Sequence, residues 1–207
     1  DEGLNTGGMG TVAPNPYYTP AVAERCMQEI FLPTVAAMQA EGCPFKGCLY
    51  FGLMLTPDGP KVIEYNCRFG DPETQVVLPL LESDLLTVME ATTNGTLDKT
   101  DVKFSDGAAA CVILASGGYP LAYEKGKEIT GLTAGQLDAA DVTVYHAGTA
   151  IKDGRLVTNG GRVLGVTATA NTLPEALKKA YAATESIHFD KLHKRSDIGA
   201  RALAAMQ

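Results

Sequence analysis

The 207-residue chain carries 17 Lys and Arg against 24 Asp and Glu, a net charge of −7, with 45% hydrophobic residues and no Trp. This composition is that of a globular chain long enough to bury a core, and the acidic balance argues against a nucleic-acid-binding surface. No apolar run reaches the roughly 20 residues that a membrane span needs, so we expect no membrane partner.

The cysteines are odd in number, scattered, and absent from any C-x-x-C pair. Such usage is typical of reduced thiols in the cytoplasm and not of disulfides or a zinc site. The five positions are Cys26, Cys43, Cys48, Cys67 and Cys111.

The first residues run D-E-G-L-N-T-G-G-M-G, with no Met at position 1. A glycine-rich loop of this kind normally joins two elements of one domain, so we expect the chain to be the C-terminal piece of a longer protein. Glycine lets backbone N–H groups approach an anion, which makes Gly7, Gly8, Met9 and Gly10 candidates for binding the phosphates of a nucleotide. A flexible turn is the alternative.

Residues 19–42 are predicted to be helical, with Thr19 as the N-cap and Pro20 at the first helical position. Apolar residues recur at three- and four-residue steps, which predicts one buried face. Pro33 is expected to kink or divide this helix, and Gly42 to end it.

The most informative stretch is residues 61–75, K-V-I-E-Y-N-C-R-F-G-D-P-E-T-Q. We predict that it begins as the second arm of a hairpin whose first arm is 45–56, and alternation along the strand puts Glu64, Asn66 and Arg68 on one face. A carboxylate beside an amide carbonyl is suited to Mg²⁺ carrying a phosphate. The guanidinium is suited to a phosphate or carboxylate oxygen. These three residues are the predicted catalytic group, and Glu64 and Asn66 the predicted metal ligands.

After this strand, Asp71 and Pro72 predict the start of a helix that Pro79 interrupts, and a second helix over 83–94. Asp71 is also a candidate substrate-binding residue because it follows the predicted metal face. Helix capping is the alternative explanation of its presence.

The polar stretch 95–107 predicts a boundary between two domains, 1–104 and 105–207. In the second, the apolar run 108–115 predicts a buried strand, and four shorter strands are expected over 142–147, 150–151, 156–158 and 163–170. Helices are predicted from Thr172, which has capping-box spacing to Glu175, and over 197–205.

Two polar clusters in this half are further candidates. His146 and Thr149 belong to H-A-G-T, and Gly160, Gly161 and Arg162 to N-G-G-R, where a cation follows a glycine-rich corner. Together they are suited to an anionic sugar phosphate. A hairpin corner also explains the glycines, and a solvated surface charge also explains Arg162.

These motifs carry a family resemblance from residue 5 to nearly the last residue. E-x-N-x-R alone marks the ATP-grasp superfamily. R-F-G-D-P-E-T-Q, with N-T-G-G-M-G before it and T-N-G-G-R-V-L-G-V-T-A and R-S-D-I-G-A-R-A-L after it, closely resembles the phosphoribosylamine–glycine ligase family.

The resemblance implies an α+β fold, with the C-terminal part of an ATP-grasp domain (a mixed or antiparallel sheet with helices) followed by a small antiparallel-rich α/β domain. It implies ATP, glycine and 5-phosphoribosylamine as substrates, Mg²⁺ or Mn²⁺ as the metal, and a step of de novo purine synthesis. Glu64 and Asn66 would hold the metal on ATP phosphates, and Arg68 the carboxylate and the acyl phosphate. Family members also carry an N-terminal domain and an ATP-covering domain, so the isolated chain is expected to be inactive.

Two alternatives stay open at this point. An ATP-grasp carboxylase acting on bicarbonate shares E-x-N-x-R but does not predict R-F-G-D-P-E-T-Q. A non-catalytic module derived from such an enzyme would lose the metal pair, whereas Glu64 and Asn66 are both present.

Overall fold

The computed structural model describes residues 3–132 and 141–207. The helices of this part are α1 (Pro20–Cys26), α2 (Leu32–Ala40), α3 (Thr74–Val77), α4 (Leu85–Asn94), α5 (Leu173–Thr184) and α6 (Ala200–Ala205). The strands are β1 (Gly10–Ala13), β2 (Tyr50–Thr56), β3 (Gly59–Asn66), β4 (Ala108–Ser116), β5 (Val142–His146), β6 (Thr149–Lys152), β7 (Arg155–Thr158), β8 (Arg162–Ala170) and β9 (Leu192–His193). The predicted α+β class is confirmed.

The chain folds into two compact units that interleave along the sequence. The first, called here the sheet unit, comprises residues 3–14, 71–80, 105–132 and 141–207. The second, the hairpin unit, comprises residues 15–70 and 81–104. These are groups of mutually packed residues, and the predicted domain boundary between 104 and 105 stays a prediction.

The sheet unit is built around β4, whose nine residues are all buried. The strands lie in the order β1-β4-β8-β5, β9 also pairs with β4, and each of these pairings is antiparallel. Alternation along β4 sends Ala110 and Val112 into a cluster with α5, and Cys111 and Ile113 into a cluster with Met9 and Val76. The apolar run therefore forms a two-sided buried strand, as predicted.

The hairpin unit begins with the predicted helix, in three segments. Thr19 caps it, since its Oγ1 accepts from the Val22 amide at 3.3 Å. A π-helical segment, Met27–Phe31, separates α1 from α2, and Pro33 follows it in the first turn of α2. Because Pro has no N–H to donate to the preceding turn, the regular α-helical pattern is interrupted at this point. The helical backbone is continuous, so the expected effect of Pro33 is seen as a change of helix type and not as a division into two helices.

The expected burial of one face of this helix is wrong for the described chain. Of its apolar stripe, Cys26 is buried, but Met27 and Val35 are each 43% exposed and Met38 39%. Val35 and Met38 border an open groove of about 640 Å³ that also touches β3. Helical periodicity identified an apolar face, but it does not say what covers it.

The second half of the chain follows the predicted strands closely. In the turn between β6 and β7, Asp153 and Gly154 have positive φ angles of 51° and 74°, as a tight hairpin requires. Thr172 occupies the N-cap position of α5, but its side chain makes no capping hydrogen bond, so the capping box is not formed. No helix in residues 3–132 and 141–207 is long and apolar enough to cross a membrane.

Candidate functional site

Glu64 and Asn66 lie together at the end of β3, in the hairpin unit. The Asn66 Nδ2 donates to Glu64 Oε1 at 3.0 Å, so the two side chains share a face as the strand alternation predicts. Gly52 on β2 pairs with Glu64 beside a bulge between Gly52 and Leu53. A Cβ at position 52 would lie 2.8 Å from Glu64 Cγ. The glycine therefore leaves the room that the Glu64 side chain occupies.

This donor set fits a magnesium ion. The Glu64–Asn66 bond does not use the amide carbonyl oxygen of Asn66 or the second carboxylate oxygen of Glu64, and both are hard donors. Within the described ranges, no group of three His, Cys, Asp or Glu side chains is placed to hold a metal by itself. A carboxylate and an amide alone suit Mg²⁺, which keeps several waters and substrate phosphates as its other ligands.

Arg68 follows the pair, and its side chain is exposed. Its Nη1 donates to the Phe69 carbonyl at 2.8 Å. This bond uses one of five N–H donors, so the guanidinium still has donors for a carboxylate or phosphate oxygen.

A second group of candidate residues meets in the sheet unit, around Arg162. The Arg162 Nη1 donates to the carbonyls of Gly7 at 2.6 Å, Gly8 at 3.3 Å and Asp71 at 2.8 Å. Its Nη2 donates to Asp71 Oδ2 at 3.0 Å. The Arg162 side chain is only 21% exposed, so it is not the solvated surface charge that the sequence left open.

The conformation of the glycine loop depends on packing against other residues as well as on the backbone flexibility of glycine. Gly8 has a φ of +101°, and a Cβ there would lie 2.7 Å from Pro72 Cδ, so position 8 requires glycine. Met9 is buried in the core, and its carbonyl accepts from the Ile113 amide at 3.0 Å. Gly10 begins β1, opposite Val112. The loop is therefore anchored at its C-terminal end, and the predicted contact of these four residues with a nucleotide stays a prediction.

Asp71 corrects the predicted helix start. The helix α3 begins at Thr74, has Glu73 at its N-cap, and is a single turn long. The Asp71 carboxylate instead accepts from Arg162 and, through Oδ1, from Gln75 Nε2 at 2.8 Å. Because Arg162 and Gln75 take its oxygens, Asp71 belongs to the cluster around Arg162 and does not cap a helix.

The two polar corners of the second half lie back to back. The Gly148 amide donates to the Arg162 carbonyl at 3.0 Å, and the Asn159 amide to the Gly148 carbonyl at 2.7 Å. A Cβ on Gly148 would lie 2.6 Å from Gly160 Cα, so this approach needs glycine. Within the first corner, His146 Nδ1 lies 3.2 Å from Thr149 Oγ1. The structure thus brings His146, Thr149, Gly160, Gly161 and Arg162 into one region.

Sequence reasoning missed two residues of the cluster around Arg162, namely Tyr119 and Gln75. The Tyr119 hydroxyl accepts from the Gly7 amide at 3.0 Å, and its ring covers Gly161, where a Cβ would lie 2.2 Å from Tyr119 Cδ2. Gln75, already mentioned, orients Asp71. Tyr119 lies in S-G-G-Y-P and Gln75 in R-F-G-D-P-E-T-Q. Neither pattern indicates that Tyr119 reaches Gly7, 112 residues earlier, or that Gln75 binds the carboxylate that also accepts from Arg162.

Cys111 lies beneath this cluster and is not a nucleophile there. Burial raises the pKa of its thiol to about 11, so the thiol stays protonated at neutral pH. The described cysteines are all free, and the chemistry considered below needs none of them.

The chain is similar to known proteins along its whole length. Residues 1–74 match the family model for the phosphoribosylglycinamide synthetase ATP-grasp (A) domain, and residues 109–201 match that for the C domain of the same synthetase. The phosphoribosylamine–glycine ligase of Vibrio vulnificus is 50% identical over 100% of this chain and 48% of its own length. The chain thus spans about half the length of the curated relatives it matches.

The fold agrees with these matches. The crystal structure of phosphoribosylamine–glycine ligase from Thermotoga maritima superposes with a TM-score of 0.82 at 41% identity, over 96% of this chain and 48% of that one. The biotin carboxylase domain of Hydrogenobacter thermophilus 2-oxoglutarate carboxylase superposes with a TM-score of 0.60 at 14% identity, over 96% of this chain and 42% of that one. The latter likeness shows a shared fold alone. By both domain matches and the identity along its whole length, the chain belongs to the phosphoribosylglycinamide synthetase family.

Proposed function

We propose that this chain is part of a phosphoribosylamine–glycine ligase, which joins glycine to 5-phosphoribosylamine at the expense of ATP and releases ADP and phosphate. The observation that carries the proposal is the Glu64–Asn66 pair, joined at 3.0 Å inside the family's specific motif. In the proposed reaction the glycine carboxylate attacks the γ-phosphoryl group. Glycyl phosphate forms, and the amine of phosphoribosylamine then displaces phosphate. The product belongs to de novo purine synthesis.

Glu64 and Asn66 are the proposed ligands of Mg²⁺, or of Mn²⁺ in its place. The metal would supply charge neutralisation on the ATP phosphates. The two side chains contribute one anionic and one neutral oxygen donor, and their mutual hydrogen bond fixes the amide orientation. Their exposure on the hairpin leaves the other coordination positions to water and phosphate.

Arg68 is the proposed partner of the reacting carboxylate. Its free N–H donors are suited to the glycine carboxylate before transfer and to the acyl phosphate afterwards. The catalytic group is thus Glu64, Asn66 and Arg68, and it works by positioning and charge stabilisation, with no side-chain nucleophile.

The glycine loop and the polar corners are the proposed anion sites. Gly7, Gly8, Met9 and Gly10 would contribute backbone N–H groups to the nucleotide phosphates. The sugar phosphate of phosphoribosylamine would lie at the corner of Gly160 and Gly161, with His146, Thr149 and Asp71 as further contacts. Arg162 belongs to this proposal through its Nε–H, because the four bonds above are made by Nη1 and Nη2.

The remaining assignments follow from the family. The division at residues 104 and 105 separates the ATP-grasp part from the C domain, and the two family matches end at 74 and begin at 109. Partners are the small-molecule substrates, with no nucleic acid or membrane. Free cysteines support a cytoplasmic location.

A coupled ADP-release assay on the full-length protein that contains this chain tests the proposal. ADP release should require both glycine and phosphoribosylamine. Release that depends on bicarbonate in place of glycine would support the carboxylase alternative, and no release with any of these acceptors would support a non-catalytic module. The chain alone should show neither turnover nor submicromolar MgATP binding in a calorimetric titration.

A further inference from the structure

The glycine loop is held from outside by two side chains of the sheet unit. The Tyr119 hydroxyl accepts from the Gly7 amide at 3.0 Å. The Arg162 guanidinium donates to the Gly7 carbonyl at 2.6 Å and the Gly8 carbonyl at 3.3 Å. Both residues come from parts of the sequence more than a hundred positions after the loop. Three successive peptide groups of the loop are therefore each bonded to a distant side chain.

These bonds determine where the other loop N–H groups point. In a trans peptide the C=O and the N–H of one plane are antiparallel, and the Gly7–Gly8 and Gly8–Met9 bonds are not among the cis bonds of the chain. Because Arg162 binds the carbonyls of Gly7 and Gly8, the N–H groups of Gly8 and Met9 point away from the guanidinium. Two successive N–H groups on one side of a glycine loop are an arrangement that binds anions.

Tyr119 and Arg162 are themselves held in place by further contacts. Arg162 is tied to Asp71 through the carbonyl at 2.8 Å and the carboxylate at 3.0 Å. The Tyr119 ring packs on Gly161, and Ser116, three residues earlier, donates its hydroxyl to the Gly160 carbonyl at 2.8 Å. The Arg162 guanidinium cannot reorient without losing several hydrogen bonds, and the Tyr119 ring is restricted by the backbone that it contacts. The loop is therefore pre-organised.

We propose that Tyr119 and Arg162 are positioning residues, which orient the Gly7–Met9 peptide groups so that the Gly8 and Met9 N–H groups face a phosphate or acyl-phosphate oxygen. The inference rests on the proposed function for the identity of that anion. It gives Arg162 a main role that differs from direct phosphate binding, and it assigns Tyr119 a role that its sequence context does not indicate.

The first test is structural and uses the 207-residue chain labelled with ¹⁵N. Tyr119→Phe removes only the hydroxyl that accepts from Gly7, so exchange of the Gly7 amide proton should be about 10-fold faster, the equivalent of one lost hydrogen bond. Tyr123→Phe is the matched control, because Tyr123 lies near Tyr119, with 6.3 Å between ring centroids, and should leave Gly7 unchanged. Equal exchange in the wild type and Tyr119→Phe would overturn the proposal.

The second test is kinetic and uses the full-length protein. Because an interaction realised in the transition state lowers kcat when lost, Tyr119→Phe should lower kcat by about 10-fold and leave KM for ATP and glycine within about twofold. Arg162→Lys keeps the positive charge but removes the planar guanidinium that donates to several acceptors at once, so it should lower kcat further. Arg155→Lys, at an exposed position, is the control and should leave kcat unchanged. An unchanged kcat despite faster Gly7 exchange would overturn the positioning role.

The two tests also separate this inference from the proposed function. A wild-type protein without ligase activity refutes the function, yet the exchange rate of Gly7 still decides whether Tyr119 orients the loop. An active wild type with unaltered kcat in both variants refutes the inference alone. A lower melting temperature with an unchanged kcat is the result of a merely structural role, and it too would contradict the proposal.

Discussion

The two compact units hold their candidate residues in opposite ways. In the hairpin unit, Glu64 and Asn66 bond to each other on a strand whose other side chains are largely exposed. In the sheet unit, Arg162 makes four bonds to three other residues and sits against a buried sheet. The first arrangement leaves oxygen donors available to a ligand, and the second uses most of its donors to fix backbone. The proposed metal ligands must keep oxygen donors available, whereas the proposed loop support must use its donors on backbone carbonyls.

The largest effect expected is that of changing Glu64, a proposed metal ligand in the hairpin unit. Glu64→Gln keeps the shape but removes the anionic oxygen, so turnover of the full-length protein should fall on the order of 100-fold or more, the loss of several kcal/mol of charge stabilisation. Its melting temperature should stay the same because Glu64 is exposed. Near wild-type activity would refute the metal assignment. Glu90→Gln, on exposed α4, is the matched control.

The free energy of unfolding should depend more on a substitution in the sheet unit than on the same substitution in the hairpin unit. Leu164, fully buried in the sheet unit, should lose about 3 kcal/mol of unfolding free energy on Leu164→Ala, from lost burial and the cavity left behind. Leu86→Ala is the same change at a side chain that is 64% exposed in the hairpin unit, and it should cost less than about 0.5 kcal/mol. Urea unfolding followed by circular dichroism suits a chain without Trp. Equal losses would contradict the contrast between the units.

A pH effect should also separate a buried thiol from an exposed one. Burial raises the pKa of Cys111 from 9.0 to about 11, so the folded state keeps a proton that the unfolded chain loses above pH 9. Stability from this group is therefore complete below pH 9 and is lost as pH rises to 11, by roughly 2–3 kcal/mol. Cys111→Ala should remove this part of the pH dependence, whereas Cys43→Ala, at an exposed site, should retain it. Parallel pH profiles for the wild type and Cys111→Ala would contradict the assignment.

The sequence predicted local features well because their causes are local. The β4 run, the hairpin turns, the Thr19 cap and the shared face of Glu64 and Asn66 follow from alternation, turn residues and capping. Glycine within a strand is typical of a bulge or a close backbone approach, and the bulge of β2 lies beside Gly52.

What the sequence did not predict depends on distant partners. Asp71 has the signature of a helix cap, yet Arg162, 91 residues later, takes its carboxylate. Met9 and Gly10 resemble loop residues but join the core and β1 through contacts with β4. One apolar face of the helix over residues 19–42 was expected to be buried, yet Met27, Val35 and Met38 on that face are exposed. Periodicity reports which face is apolar and not which neighbour lies against it.

The Mg²⁺ dependence of turnover in the full-length protein tests the central claim most directly, namely that the hairpin unit supplies the metal ligands and the sheet unit supports the loop. Glu64→Gln should raise the Mg²⁺ concentration for half-maximal rate by about 10-fold or more. Arg162→Lys should leave that concentration within about twofold of the wild type while lowering the maximal rate. An equal shift in both variants, or a shift in Arg162→Lys alone, would contradict the account.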